Sequence, residues 1–352
     1  MKISQGQLLT LLFLSRIFTT ITYFSLEPIS LPTIIVTVIV SVAVDMILVI
    51  PAILIYKKYP DENIVRAAFK INKVLGYIIF AVYFAAVVYI VFRTVRFFLF
   101  FFKSTFPDLL PVVVVGALII IAAIYAAYLG MEAVARSAAV VLGLFVIMLV
   151  LVIGFTVSDF EMINYYIQPI SADSFMTGVL SGISRSSEIV LLLLSLPYLR
   201  KGIVGSVYGF LALKLFVIEA VLISCMLLLG SYVETTKFPF FTMCTYAKSS
   251  FIERLDAVFL VVWTLMGIVR LAFAAASVKP ALEAFAKKDH KYFYAAAPIL
   301  IGGIPALCCA YKDKMIFSFL DKDVAVYIVG VLGFLIPLIL YFIRRSIRRK
   351  ER

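Results

Sequence analysis

The sequence predicts an all-α polytopic membrane protein of ten transmembrane helices, and three observations carry that expectation. First, 64% of its 352 residues are hydrophobic and the mean hydropathy is +1.11. A soluble domain sits nearer about 45–50% apolar and cannot hide so much oily surface. Second, the apolar runs are continuous and long enough to cross a bilayer, roughly 20 residues each. They do not alternate with period two, which excludes a membrane barrel. Third, basic residues alternate between the loops in step with ten crossings.

In chain order the spans are 7–25, 33–56, 74–102, 111–129, 137–155, 174–197, 205–230, 255–278, 294–310 and 324–343. Lys2 precedes the first. Lys57, Lys58, Arg66, Lys70 and Lys73 follow the second, Arg136 the fourth, and Arg200 and Lys201 the sixth. Lys279, Lys287, Lys288 and Lys291 follow the eighth, and Arg344, Arg345, Arg348, Arg349, Lys350 and Arg352 the last. That places 19 positive residues on one side. The other side holds seven: Lys103, Lys237, Lys248, Arg254, Lys312, Lys314 and Lys322. Lysine and arginine collect on cytoplasmic loops, so both termini are expected in the cytoplasm. The longest connections hold about twenty residues, which leaves no room for an aqueous domain.

The net charge of +12 follows from this asymmetry. The basic tail reads as a juxtamembrane cluster attracted to anionic lipid, not as a nucleic-acid patch. The amino terminus lacks a small-x-small cleavage pattern and its apolar stretch is long enough to span, so no cleaved signal is expected. Cys225, Cys244, Cys308 and Cys309 form no framework, and His290 lies in a basic loop. No nucleophile with a base, metal-ligand cluster or phosphate-cradling glycine loop appears. Neither an enzyme nor a cofactor site is expected.

Polar residues inside the spans are the remaining signal, because an ionisable side chain at mid-bilayer depth is costly and marks function or a buried ion pair. In span one, Arg16, Thr19, Thr20 and Tyr23 fall at i, i+3, i+4 and i+7, one face of a helix. In span six, Ser181, Ser184, Arg185 and Glu188 repeat the spacing, beside Gly178 and Gly182. Two such stripes five spans apart suit an inverted repeat whose binding site lies at mid-membrane. The competing reading is packing, since Ser, Thr and Gly are ordinary helix-contact residues in membranes. Asp45, Lys214, Glu219, Arg93, Arg96 and Arg270 are further charges within spans. Asp45, Glu188 and Glu219 are the anions available to the arginines, and Arg185 can meet Glu188 directly. Arg93 and Arg96 are expected to snorkel toward one interface and Arg270 toward the other.

Several segments resemble a known family. Leu129-Gly130-Met131-Glu132-Ala133-Val134-Ala135-Arg136 is similar to the signature between spans four and five of the bacterial spore germination permeases. These are the B subunits of nutrient germinant receptors, within the amino acid–polyamine–organocation superfamily. Phe238-Pro239, Phe251-Ile252-Glu253-Arg254-Leu255-Asp256, Trp263 and Arg270 resemble that family's approach to span eight. Asn164 to Pro169-Ile170, and Ser187-Glu188 with Leu196-Pro197-Tyr198, resemble its region around span six, with Ser186 where glycine is usual.

The resemblance implies a LeuT-type fold of five plus five helices, 1–168 and 169–352, with helices one and six unwound near their centres. A small nutrient germinant, most often an amino acid, would sit between them, with Tyr89, Trp263, Thr264 and Gly267 as weaker wall candidates whose spacing is equally consistent with packing. The implied partners are the A subunit and the lipoprotein C subunit in the spore inner membrane, and the implied role is signalling. A departure stands out: there is no glycine between Gly6 and Gly76, so helix one either relies on Ser15, Thr19, Thr20 and Thr22 to satisfy freed backbone or stays continuous. The alternative function on the same fold is a proton-coupled amino-acid or cation permease, with Glu188 or Asp45 carrying the proton.

Overall fold

Helix starts are written into the sequence by capping side chains. The computed structural model describes residues 2–22, 31–106, 111–164, 170–248, 255–286, 291–310 and 322–350. Helix α1, Gln5–Thr22, opens on a reciprocal cap. The Ser4 amide donates to Gln7 Oε1 at 2.8 Å and the Gln7 amide to Ser4 Oγ at 3.3 Å, which satisfies two amides that a helix start leaves orphaned. Asn63 caps the short α4, Ile64–Phe69, and Asn72 caps α5, Lys73–Thr105, each accepting a backbone amide at 2.8 Å.

The second span is α2, Leu31–Leu48, continued after a turn by α3, Ile50–Lys58, which carries Pro51 in its first turn. Helices α6, Val112–Leu129, and α7, Met131–Thr156, meet at Gly130, whose φ of +93° only glycine adopts without strain. The sixth span is split into α8, Ala172–Ser184, and α9, Glu188–Ser195. There follow α10, Ile203–Leu229, the short α11, Tyr232–Thr235, and α12, Pro239–Tyr246. Then come α13, Leu255–Ala286, and α14, Lys291–Cys308. The last span runs from α15, Lys322–Tyr327, through a π-helical stretch, Ile328–Leu335, into α16, Ile336–Lys350.

Eight helical segments among the described residues are long and apolar enough to cross a membrane, and they match eight of the ten expected spans. The two others are α1 and the apolar stretch Phe293–Cys308. Polar residues dilute α1, yet it is enclosed within the bundle, buried from Thr10 through Ile21 on every side. It packs against α7, α10 and α13. Such a helix needs no lipid-facing stripe. The outer surface is apolar instead: Ile121 and Tyr125 of α6, Ile147 and Val150 of α7, and Phe216 of α10 are each at least 60% exposed. With eight such segments, the chain is a multi-pass integral membrane protein.

One end of the bundle is tied together by polar contacts. The Ile3 amide donates to Tyr198 O at 2.7 Å and the Arg200 amide to Ile3 O at 3.1 Å. Lys2 pairs with Asp61 at 2.8 Å, and Glu283 lies 3.6 Å from both Arg66 and Lys279. Glu62 accepts from Lys70 and from Arg344, whose guanidinium lies 3.6 Å over the Tyr59 ring. Partial burial pushes the Glu62 carboxyl up, but the hydrogen bonds and charges of Arg344 and Lys70 outweigh it and hold its pKa below the usual value of 4.5. Residues that the loop pattern assigns to one side thus meet at one end.

One expectation drawn from the resemblance is corrected. Helix one is unbroken from Gln5 to Thr22. It has no glycine beyond Gly6 in its first turn, and Thr19 and Thr20 donate their hydroxyls back to Arg16 O at 2.8 and 3.2 Å, which occupies that carbonyl without opening the helix.

Candidate functional site: a broken helix held by buried cations

The break between α8 and α9 lies at Arg185-Ser186-Ser187, within a serine-rich stretch whose hydroxyls compete for backbone groups. A helix end leaves its last carbonyls without partners. Here other helices supply them. Arg16 of α1 donates through Nη2 to Gly182 O at 3.1 Å, and Arg93 of α5 through Nη1 to Ser184 O at 2.8 Å. Ser184 Oγ donates to Ser181 O at 2.8 Å. Arg270 of α13 bridges three elements: it donates to Ser187 Oγ at 2.8 Å, to Thr94 Oγ1 at 3.0 Å and to both Ser15 O and Ser15 Oγ. The arrangement obeys the helix dipole. Cations meet the carbonyl end of α8, and Glu188 occupies the first turn of α9.

On the other flank Lys214 of α10 donates to Asp45 of α2 and, at 3.3 Å, to Ser186 Oγ. Ser186 Oγ in turn donates to Asp45 Oδ2 at 2.7 Å. Lys214 and Asp45 are fully buried, and Lys214 lies 3.9 Å from Glu188. Neither Glu188 oxygen accepts a well-formed hydrogen bond among the described residues.

A cavity opens beside the break, lined by Arg16 and Thr20 of α1, Thr37 of α2, Ile218 and Leu222 of α10, and Gly178, Ser181, Gly182 and Arg185 around α8. The space open to the centre of a water molecule is about 20 Å³, room for one water or a small ion. Its walls approach closely at two glycines. A Cβ on Gly178 would lie 2.6 Å from Thr37 Oγ1, and one on Gly182 would lie 2.5 Å from Ser41 Cβ.

The opposite face of α1 is filled by aromatic rings among the described residues. Trp263 stacks on Phe18 with ring centroids 5.1 Å apart and lies 4.7 Å from Phe98 and 4.5 Å from Phe101. A Cβ on Gly267 would meet Phe98 at 2.1 Å. Trp263 and Gly267 therefore belong to an aromatic packing layer, the packing role that their spacing equally allowed. Thr264 and Tyr89 are half-buried and do not line the cavity. Tyr23 lies outside the described residues.

The structure thus brings Arg16, Thr20, Ser181, Gly182 and Arg185 to one cavity. Thr19 and Ser184 spend their hydroxyls on their own helices. Glu188 faces Lys214, not Arg185, which donates to Ser181 Oγ at 3.3 Å. Glu219 sits away from the cluster with no hydrogen bond to either oxygen among the described residues. Sequence spacing misassigned three arginines. Arg93, Arg96 and Arg270 are 8%, 2% and 2% exposed, so they do not snorkel. They point inward because backbone carbonyls await them: those of the break, of Ser15 and, for Arg96, of Cys309 at the end of α14. Lys214 as the partner of Asp45 was missed as well, although a lone lysine at mid-span was the available signal.

A family model described as spore germination protein matches residues 2–314. Comparison with individual curated proteins returns no match. The matched stretch holds both halves of the broken helix and every helix that supplies a side chain to it. With most of its length matched, the chain belongs to the spore germination protein family of permeases.

Proposed function

We propose that this chain is the germinant-sensing subunit of a nutrient germination receptor. A small nutrient, an amino acid first among candidates, acts at the α8–α9 break and signals to A-type and C-type partner subunits in the spore inner membrane. The observation that carries this reading is the break itself: an interrupted helix at the centre of the bundle whose ends are bound by side chains from α1, α2, α5, α10 and α13. A ligand that alters any one of these contacts biases the rest, and it shifts the equilibrium only by its differential affinity for the two arrangements.

The reading includes ten membrane-crossing helices in a five-plus-five inverted repeat, with α1 and Phe293–Cys308 as the two crossings beyond the eight apolar segments. It also includes cytoplasmic termini, supported by the basic residues gathered at one end of the bundle, and a lipid-facing basic tail on α16. An organic germinant requires the cavity to widen, because 20 Å³ holds only a water-sized group.

A second reading, proton-coupled transport on the same fold, draws on the buried Glu188 oxygens, which accept no hydrogen bond among the described residues. Uptake of labelled amino acids into proteoliposomes, run beside germination of spores lacking this chain, separates the two. Sensing predicts a germination defect without uptake, and uptake driven by a pH gradient would favour transport.

A further inference from the structure

A second cavity, larger than the one at the break, lies toward the polar end of the bundle, where α6 turns into α7 beside α13 and α14. The space open to the centre of a water molecule is about 150 Å³, many times what one water needs. Small residues make the room. Ala127 of α6, Ala275 and Ala276 of α13 and Ala295 of α14 all line it and are buried. At the corner itself, a Cβ on Gly130 would meet nothing within 4 Å.

Polar groups gather beside Ala276. Pro280 stands inside α13 and has no N–H, so Ala276 O, four residues earlier, loses its helical donor. Tyr198 takes up part of that carbonyl, donating its hydroxyl at 3.3 Å, and a carbonyl oxygen can accept a second bond. Lys279, one turn beyond Ala276, also lines the cavity. Its ammonium lies 3.6 Å from Glu283, which is shared with Arg66 at the same distance. That separation exceeds a charge-assisted hydrogen bond of about 2.7–2.9 Å, so a second anion can sit beside the ammonium as well. The guest that fits these groups carries a negative charge for Lys279 and a hydroxyl for Ala276 O, on a small body that tolerates alanine walls.

The surroundings name the source of such a guest. Leu129, beside the lining residue Tyr128, and Phe293, beside the lining residue Tyr294, are exposed apolar side chains. Tyrosines are enriched at the level of lipid head groups, and basic pockets between transmembrane helices take anionic ones. We propose that this cavity binds the head group of one anionic phospholipid that carries a free hydroxyl, as phosphatidylglycerol does. Its phosphate meets Lys279, a head-group hydroxyl donates to Ala276 O, and the acyl chains run along Leu129 and Phe293. The lipid joins the α6–α7 corner to α13 and to Tyr198, at the end of the sixth span. The proposal does not depend on the reading of the break.

The test is thermal unfolding of the full chain in neutral detergent at one salt concentration, titrated with phosphatidylglycerol, phosphatidylcholine or glycerol 3-phosphate. A saturable rise in Tm of about 3 °C is expected with phosphatidylglycerol, and none of that size with the other two. Lys279→Gln should remove most of the rise. Ala295→Leu, which fills the cavity with methyl groups, should do the same. Arg348→Gln combined with Arg349→Gln should leave the rise in place, which separates the cavity from general attraction of the tail to anionic lipid. Equal Tm values in the two lipids would overturn the proposal. So would a rise that survives Lys279→Gln, or one lost only with the tail arginines. A rise of the same size with glycerol 3-phosphate would overturn the assignment to a lipid. If Ala295→Leu does not accumulate, Lys279→Gln decides alone, because that side chain is partly exposed and its loss leaves the fold intact.

Discussion

On one side of the break α1 meets α5 and α13 through aromatic rings, Phe18, Phe98, Phe101 and Trp263. On the other side it faces α2, α8 and α10 across hydroxyls, two close-packed glycines and two arginines. The first face is filled by rings in contact with one another among the described residues. The second carries a cavity and a lysine–aspartate pair that a small displacement would disturb. Under the proposed function, the contrast distinguishes a packed side of the helix from a side able to respond, and it favours α2 and α10 over the tryptophan as neighbours of the site.

Breaking the responsive side at its ion pair should give the largest effect. Lys214→Met leaves Asp45 buried without a countercharge, a loss of about 3–5 kcal/mol. Membrane levels and thermal stability should fall sharply, and a second change, Asp45→Leu, should restore much of both. A double variant as unstable as the single one would show that the pair is not the cause.

Next comes the aromatic side. Trp263→Ala empties a fully buried indole site and should cost about 3 kcal/mol or more. Where the chain still accumulates, the germinant concentration giving half-maximal response should stay close to that of the parent. A large shift in that concentration at normal protein level would return the ligand to the tryptophan side.

The smallest effect belongs to the polar end of the bundle, remote from both faces. Glu62→Gln removes the acceptor of Lys70 and Arg344 and should cost about 1 kcal/mol or less, since the pairs are partly solvated. Because the folded-state pKa of Glu62 lies below its usual 4.5, its contribution is fully present above that value and fades as pH falls through the lowered one. The difference in Tm between parent and Glu62→Gln should therefore vanish in acid, and a difference that grows there would contradict the assignment.

Much of this was legible in the sequence. Hydropathy alone placed the eight long spans, because a lipid-facing helix must be apolar whatever it packs against. The two arginine-bearing stripes identified the helices that meet at the cavity, since three-and-four spacing fixes a face. Spacing could not tell which way Arg93, Arg96 and Arg270 point. Their depth suggested snorkelling, whereas their direction is set by carbonyls on helices far away in sequence, such as Ser15 and Ser184. Nor could the sequence distinguish Trp263 as a pocket wall from Trp263 as a filler, because that depends on Phe18 and Phe98 meeting it in space.

The central claim, that the response originates on the α2–α10 side of the break, is tested most directly by filling the cavity there. Gly178→Val places methyl groups against Thr37, where even a Cβ has no room, while leaving the Trp263 layer untouched. Germination of spores carrying this variant should be measured against nutrient concentration, with the chain confirmed at parental level in the spore membrane. The account predicts that the half-maximal concentration rises tenfold or more, or that the response is lost. A dose–response curve that overlays the parent would contradict it.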